Sequence, residues 1–475
     1  MRAALLGILA GVLAVAAAEP EIAIVFPKEG GTFTAGQTVT YVMGSVKPAD
    51  VALTLNGQPV AVYAKTGSFV TMAPLRAGKN ELLFQAGKTT VKRTVTVPVP
   101  PPKADGGFAP VSPVSPIGVM TGEVVNLVCQ APTGRVVKAT VGRQTVPLAP
   151  DPKNPALYRG RFSSASDLAE APVRFSCNGF PDADGASVTV RSVWPSYRVT
   201  GKLFEVRARS LPGDGETIGF PKPGISLAAT GFRDGWLRFK INGGVGWVPL
   251  GSVSANKRFG KPVDRLEDLA KGFAPRPPIG KRPKEILVVL DPGHGGSDTG
   301  ALGPGGTQEK EANWKQAKAI EKALKAAGFK VKLTRQGDQT VGLYERVRFA
   351  YENHADLFIS VHHNSTATQT DPREVRHFIG YGWNPRGLDL ARALHPKLAA
   401  VAGIPDRGVR EASFAVCRNP AVPSCLFEFD FINCPEGEDA IFNTDRRDRF
   451  GAALAEALTA WISEKPKPAV QEGGK

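Results

Sequence analysis

Cysteine is sparse in this chain, five in 475 residues. No two of the five stand in a C-x2-C spacing, so nothing supports a thiolate zinc cluster. After residue 17 no run is apolar and long enough to cross a bilayer, so no membrane span is expected. No dense Lys/Arg run and no nucleic-acid motif accompany the formal net charge of +15. That excess is spread along the chain, which favours solubility and a general attraction to polyanions such as an anionic envelope, with no nucleic acid as partner. Charged residues make up 22% and hydrophobic ones 42%, which excludes a disordered chain.

Glycine (52) and proline (40) are abundant, which points to short strands, many turns and stiff connections. At roughly 100–200 residues per domain the length suggests three or four domains. The chain opens Met1-Arg2, continues through an apolar stretch over residues 3–17 and reaches Ala16-Ala17-Ala18 before Glu19-Pro20. A positive start, a short apolar core and small residues at a cut site read as a secretory signal over residues 1–18. Export to the periplasm or cell envelope is expected, without a lipid anchor, because no cysteine follows the cut. In an oxidising compartment Cys129 and Cys177 are natural disulfide partners, while Cys417, Cys425 and Cys434 leave one odd thiol.

Residues 20–98 read as all-β: Ile22-Ala23-Ile24-Val25-Phe26 and Val51-Ala52-Leu53-Thr54-Leu55 alternate, and Asn56-Gly57 is a two-residue hairpin signature. The pattern resembles bacterial immunoglobulin-like modules, which implies a sandwich with a spacer or binding role. Residues 99–116 form a Pro-rich linker. Strand-like runs at Val124-Val125-Asn126-Leu127-Val128-Cys129 and Val173-Arg174-Phe175-Ser176-Cys177 predict a second sandwich over 117–196. Residues 197–254, with Gly235-Trp236 and Gly246-Trp247, resemble a bacterial SH3-like barrel, which weakly implies wall binding. At least one of the two tryptophans is expected in the core. Residues 255–284 read as a basic, Pro-rich linker and 464–475 as a disordered tail.

From residue 285 the texture changes. Ile286-Leu287-Val288-Val289-Leu290 and Leu357-Phe358-Ile359-Ser360-Val361 read as strands buried on both faces. Helical spacing intervenes over residues 310–327, 343–351, 388–402 and 450–462, and Val331-Lys332-Leu333 and residues 425–429 supply further strands. The alternation predicts an α/β domain over 285–463, with a largely parallel sheet and helices on both faces. Ligands of such sheets bind beyond the carboxyl ends of the strands. His294, in Asp291-Pro292-Gly293-His294-Gly295-Gly296, and His362 stand at those ends. Glu428 is a charge inside an apolar strand, which is costly unless paired or bound to a metal. Glu309 opens the first helix, with Glu311 close by. Two histidines and a carboxylate make a catalytic zinc set, and a further carboxylate can act as base on water.

Residues 285–463 resemble the zinc-dependent N-acetylmuramoyl-L-alanine amidases. The matching pieces are the His294 turn and its continuation Ser297-Asp298-Thr299-Gly300-Ala301, Glu309-Lys310, Thr334-Arg335, Leu343-Tyr344-Glu345-Arg346, the strand ending in His362, Asn364, Arg407-Gly408-Val409, and Glu428 followed by Phe431-Ile432-Asn433. The resemblance implies zinc on His294, Glu309 and His362, Glu428 as the catalytic carboxylate, and peptidoglycan as substrate. His363 stands where the family has a small residue and is not the implied ligand. Phe429-Asp430 replaces the family's Leu-Gly, which would put an extra acid near the site. Some members carry an inserted helix that plugs the zinc. Here only residues 365–372 precede strand-like Val375-Arg376-His377-Phe378-Ile379, so a site open without an activator is expected, on a monomer.

Overall fold

The computed structural model describes residues 19–99, 107–201, 206–213, 215, 217–255, 262, 280–419 and 422–463. The expected signal (1–18), the expected tail (464–475) and most of the expected basic linker (255–284) lie outside them.

The molecule is multidomain, with sheet-rich N-terminal regions and a C-terminal α/β domain. Over residues 21–97 two four-stranded sheets face each other. They close on Val42, Val46, Leu53, Phe69, Phe84 and Val95, all buried. Asn56 and Gly57 make the hairpin turn with positive φ, 49° and 79°. That conformation is open to Asn and Gly and closed to most other residues.

The next region departs from the expectation of a spacer reaching residue 116. Ala109–Ser112 is a strand paired with Val125–Gln130. It lies at the sheet edge, where proline's missing N–H costs no ladder bond. Ile117–Met120 pairs with Ala183–Arg191 on one side and Ser226–Arg233 on the other. One continuous sheet therefore runs across the boundary anticipated at residue 196. Trp247 is buried and Trp236 is partly exposed. Cys129 and Cys177 are buried free thiols, not a disulfide: the Cys129 sulfur bonds the Ala109 carbonyl at 3.2 Å, and that of Cys177 faces the Asn178 carbonyl at 3.9 Å.

The C-terminal domain runs β1 (Leu287–Pro292), α1 (Glu309–Ala326), β2 (Lys330–Leu333), α2 (Leu343–Glu352), β3 (Leu357–Asn364), α3 (Pro372–Val375), β4 (Phe378–Gly382), α4 (Pro385–Ala402), β5 (Asp406–Glu411), β6 (Ser424–Phe431), α5 (Pro435–Phe442) and α6 (Thr444–Ser463). The strand order is β2-β1-β3-β6-β4-β5. All neighbours are parallel except β4 and β6. Residues 372–375, expected to lead into a strand, instead form the short helix α3, capped by Asp371, whose carboxylate accepts from the Arg373 N–H. Pro372 at the first helical position favours that turn.

Successive residues of a strand point to opposite faces. On one face Val288, Leu290, Ile359, Val361, Cys425, Phe427 and Phe429 pack under α1, α4 and α6. On the other, Val289, Phe358 and Leu426 pack against Ala350 of α2 and against Val416 and Cys417. The first sandwich seats on this domain. The Tyr41 N–H donates to the Thr368 carbonyl at 2.6 Å, Gln37 reaches the Thr368 hydroxyl at 3.2 Å, and Lys65 pairs with Asp439 at 2.6 Å. Leu302 packs on Tyr41, Met43 and Val70. Residues 365–371, which follow β3, are thus held by the sandwich. Among the described residues no helix is long and apolar enough to cross a membrane.

Candidate metal centre and active site

Strand β1 ends in a buried carboxylate. Asp291 accepts from Arg346 (2.7 Å) and from the hydroxyls of Thr334 (2.6 Å) and Ser360 (2.7 Å). These partners hold it ionised against burial, so its pKa lies below the usual range. Arg346 also donates to the carbonyls of Pro292 (2.9 Å) and His294 (2.7 Å), which fixes the turn after β1. His294 sits in that turn with φ 59°. A non-glycine residue pays about 1–2 kcal/mol for this left-handed conformation. Gly293 is required by close approach, because a Cβ there would run into the His362 ring.

Glu309 opens α1 and points back into the turn. Its Oε1 lies 3.1 Å from His294 Nε2 and 3.0 Å from His362 Nδ1. The two imidazole rings meet edge to face at 4.9 Å. Glu309 Oε2 accepts from the Ala301 N–H at 3.0 Å. A Cβ on Gly300 would lie 2.6 Å from the same oxygen, so the turn comes this close only as glycine. Burial alone would raise the Glu309 pKa, but its bonds to the two histidines hold it well below the carboxylate range. Burial likewise opposes a charged His294, yet Glu309 and Asp298 lift it to about 9. His362 is raised against burial by Glu309 as well. These directions describe one anion holding two imidazoles around a common point. His294, Glu309 and His362 each offer one ligand atom, all within 4.8 Å of one another. Ligands about 2.0–2.2 Å from a tetrahedral zinc stand roughly 3.3–3.5 Å apart, so the two Glu309–histidine distances fit such an ion to within a few tenths of an ångström. The free Nδ1 of His294 lies 2.8 Å from Asp298, the kind of carboxylate that orients a metal-bound imidazole.

Glu428 joins them across the sheet: His362 on β3 aligns with Glu428 on β6. Burial pushes the Glu428 carboxyl up to about 7. Its Oε2 is buried and has no protein partner. A buried acceptor without a partner is costly, which is understandable where a water or substrate proton completes the site.

The neighbours sort clearly. His363 leaves β3 on the opposite face and bonds Asn313 at 2.8 Å, outside the cluster. Glu311 is exposed on α1. Asp430 is not an additional acid of the site, contrary to the expectation from the Phe429-Asp430 departure. It is buried between Arg376 (2.7 and 2.9 Å) and Arg446 (2.9 Å). Sequence reasoning gave no role to Asp291, Arg346 or Asp298. A charge closing an apolar strand was the available signal for Asp291, the same one that exposed Glu428.

Residues 288–460 match the family model described as N-acetylmuramoyl-L-alanine amidase. N-acetylmuramoyl-L-alanine amidase AmiA of Escherichia coli (strain K12) is 29% identical over 242 residues, covering 42% of this chain and 83% of its own length. N-acetylmuramoyl-L-alanine amidase LytC of Bacillus subtilis (strain 168) is 33% identical over 37% of this chain and 35% of its own. The solved catalytic domain of CwlV, from Bacillus (Paenibacillus) polymyxa var. colistinus, is 30% identical over 37% of this chain and 98% of its own, with a TM-score of 0.35. Residues 288–460 are thus an N-acetylmuramoyl-L-alanine amidase domain, the catalytic segment of a cell-wall amidase.

Proposed function

We propose that the C-terminal domain is a zinc hydrolase that cuts the amide between the lactyl group of N-acetylmuramic acid and the first L-alanine of the peptidoglycan stem peptide. His294 Nε2, Glu309 and His362 Nδ1 hold the ion and Glu428 is the general base. The observation that carries this reading is the convergence of those three ligand atoms beside a buried, unpartnered carboxylate oxygen. Zinc, when bound, polarises a carbonyl and acidifies water. Glu428 Oε2 accepts the proton of the attacking water and passes it to the amide nitrogen as the C–N bond breaks. A carboxyl raised to about 7 is matched to both transfers near neutral pH. Asp298 fixes the His294 ring, and Arg346 with Asp291 fixes the turn that carries it.

The upstream regions are read as an immunoglobulin-like module over 20–98, a second sandwich that begins with the strand Ala109–Ser112, and, continuous with it through the shared sheet, an SH3-like barrel ending near residue 254 that adds wall affinity. Residues 1–18 direct export, and the enzyme works as a monomer in the envelope. Glu428→Gln is expected to retain zinc and lose at least about 10²–10⁴-fold in kcat. Mass spectrometry of digested wall decides the bond: intact stem peptides freed from sugar support the amidase, shortened stems a peptidase, and binding without release a wall-binding protein.

A further inference from the structure

Beyond Glu428 the sheet continues through β4 to its edge at β5. Ile379 of β4 aligns with Glu428, and Tyr381, two residues on, aligns with Arg410 of β5. Side chains two apart share a face. Glu428, Tyr381 and Arg410 therefore stand on one face, with Arg410 outermost. The Tyr381 ring meets Phe414 edge-on at 5.0 Å. Phe414 is 42% exposed, a large apolar ring left facing solvent beside the site.

Arg407 and Arg410 are exposed, and among the described residues neither has an ion-pair partner. Of the two acids on the strand, Asp406 is taken by His395 (2.7 Å) and the Gly408 N–H (2.8 Å), and Glu411, next to Arg410 in sequence, alternates to the other face of the sheet. Arg346, Arg376 and Arg446, by contrast, are committed to buried carboxylates. Charges from both sides reach Tyr381: after burial, Glu428 raises its pKa and Arg410 lowers it.

In the substrate read above, the lactyl carboxyl is consumed in the amide. Free carboxylates therefore lie on the peptide side of the scissile bond. A guanidinium recognises such a group through paired N–H donors.

We propose that Arg410, backed by Arg407, binds a carboxylate of the peptide that leaves, and that Tyr381 and Phe414 form the apolar shelf along which this peptide lies. This rests on the amidase reading.

The test uses the full chain with zinc and two synthetic substrates: an N-acetylmuramoyl tripeptide with free carboxylates, and the same compound with those groups converted to carboxamides. The parent protein is expected to favour the acid substrate about tenfold or more in kcat/KM, chiefly through KM. Arg410→Gln should bring the two substrates within about twofold, and Arg410→Lys should keep part of the preference. Equal use of both substrates by the parent protein, or an equal fall on both in Arg410→Gln, overturns the subsite. Failure of the parent protein to cleave the lactyl–alanine bond in either substrate instead overturns the amidase reading, and the subsite with it.

Discussion

His362 and His363 are neighbours on β3, and the two faces of the sheet make opposite use of them. On the face shared with Glu428, His362 meets Glu309 and its pKa rises despite burial. On the face packed under α1, α4 and α6, the His363 ring bonds the neutral Asn313 side chain, and burial pushes it down to about 3. The difference is one of partners. Both imidazoles are withdrawn from water, but only the His362 ring bonds the Glu309 carboxylate, which His363 meets through its backbone N–H, and that ring contact decides whether burial favours or disfavours charge. The same contrast separates Glu428, buried without a compensating cation in contact, from Asp430, buried between two arginines. One acid of the strand is left without a partner, and the other is paired twice.

The sharpest test of this contrast is to exchange the roles of the histidines. His362→Ala is expected to abolish zinc retention and to reduce kcat by several orders of magnitude. His363→Asn should keep stoichiometric zinc and measurable turnover. Zinc analysis of the two purified variants checks this, and loss of zinc from His363→Asn alone would reverse the assignment.

A smaller effect is expected where a finished pair is broken. Asp291→Ala leaves Arg346 buried without its anion, and about 3–5 kcal/mol of stability should be lost. Denaturant titration of the variant measures that loss. If the midpoint stays within about 0.5 kcal/mol of the parent protein, Arg346 is not held as the geometry requires.

The most gradual effect is in pH. The unfolded His363 titrates near 6.5, and the folded one near 3. Between these values the unfolded chain holds a proton that the folded chain does not. Stability is therefore complete above about pH 6.5 and falls as the pH drops toward 3, by at most about 1.4 kcal/mol per unit from this residue. Chemical denaturation of metal-free protein from pH 7 to 4, compared with His363→Asn, isolates the term. Parallel slopes would show that His363 is protonated in the folded state.

Much of the catalytic domain was legible because its signals are local. Two five-residue apolar runs marked β1 and β3, and helical spacing marked α1, α2, α4 and α6, with boundaries shifted by up to six residues. The edge of the domain was less legible. Residues 375–379 read as a strand by composition, but Pro372 and the Asp371 cap turn 372–375 into a helix, and the strand starts at Phe378. The continuous sheet across residue 196 depends on Ile117–Met120 pairing with strands about 70 and 110 residues away in sequence, and no pattern within a strand names its partner. The thiols of Cys129 and Cys177 share one core, yet proximity in a list of five cysteines did not determine a bond.

The residue types by themselves determined which groups were expensive to bury: an acid in an apolar strand, histidines at strand ends, a glycine-rich turn between them. Only the folded chain decided which of those costs are met by a partner. Asp430 and Glu428 look alike as letters, two residues apart on one strand. Register and strand order place arginines beside the first and leave a buried oxygen of the second without a partner, and that placement arises from contacts between segments far apart in sequence.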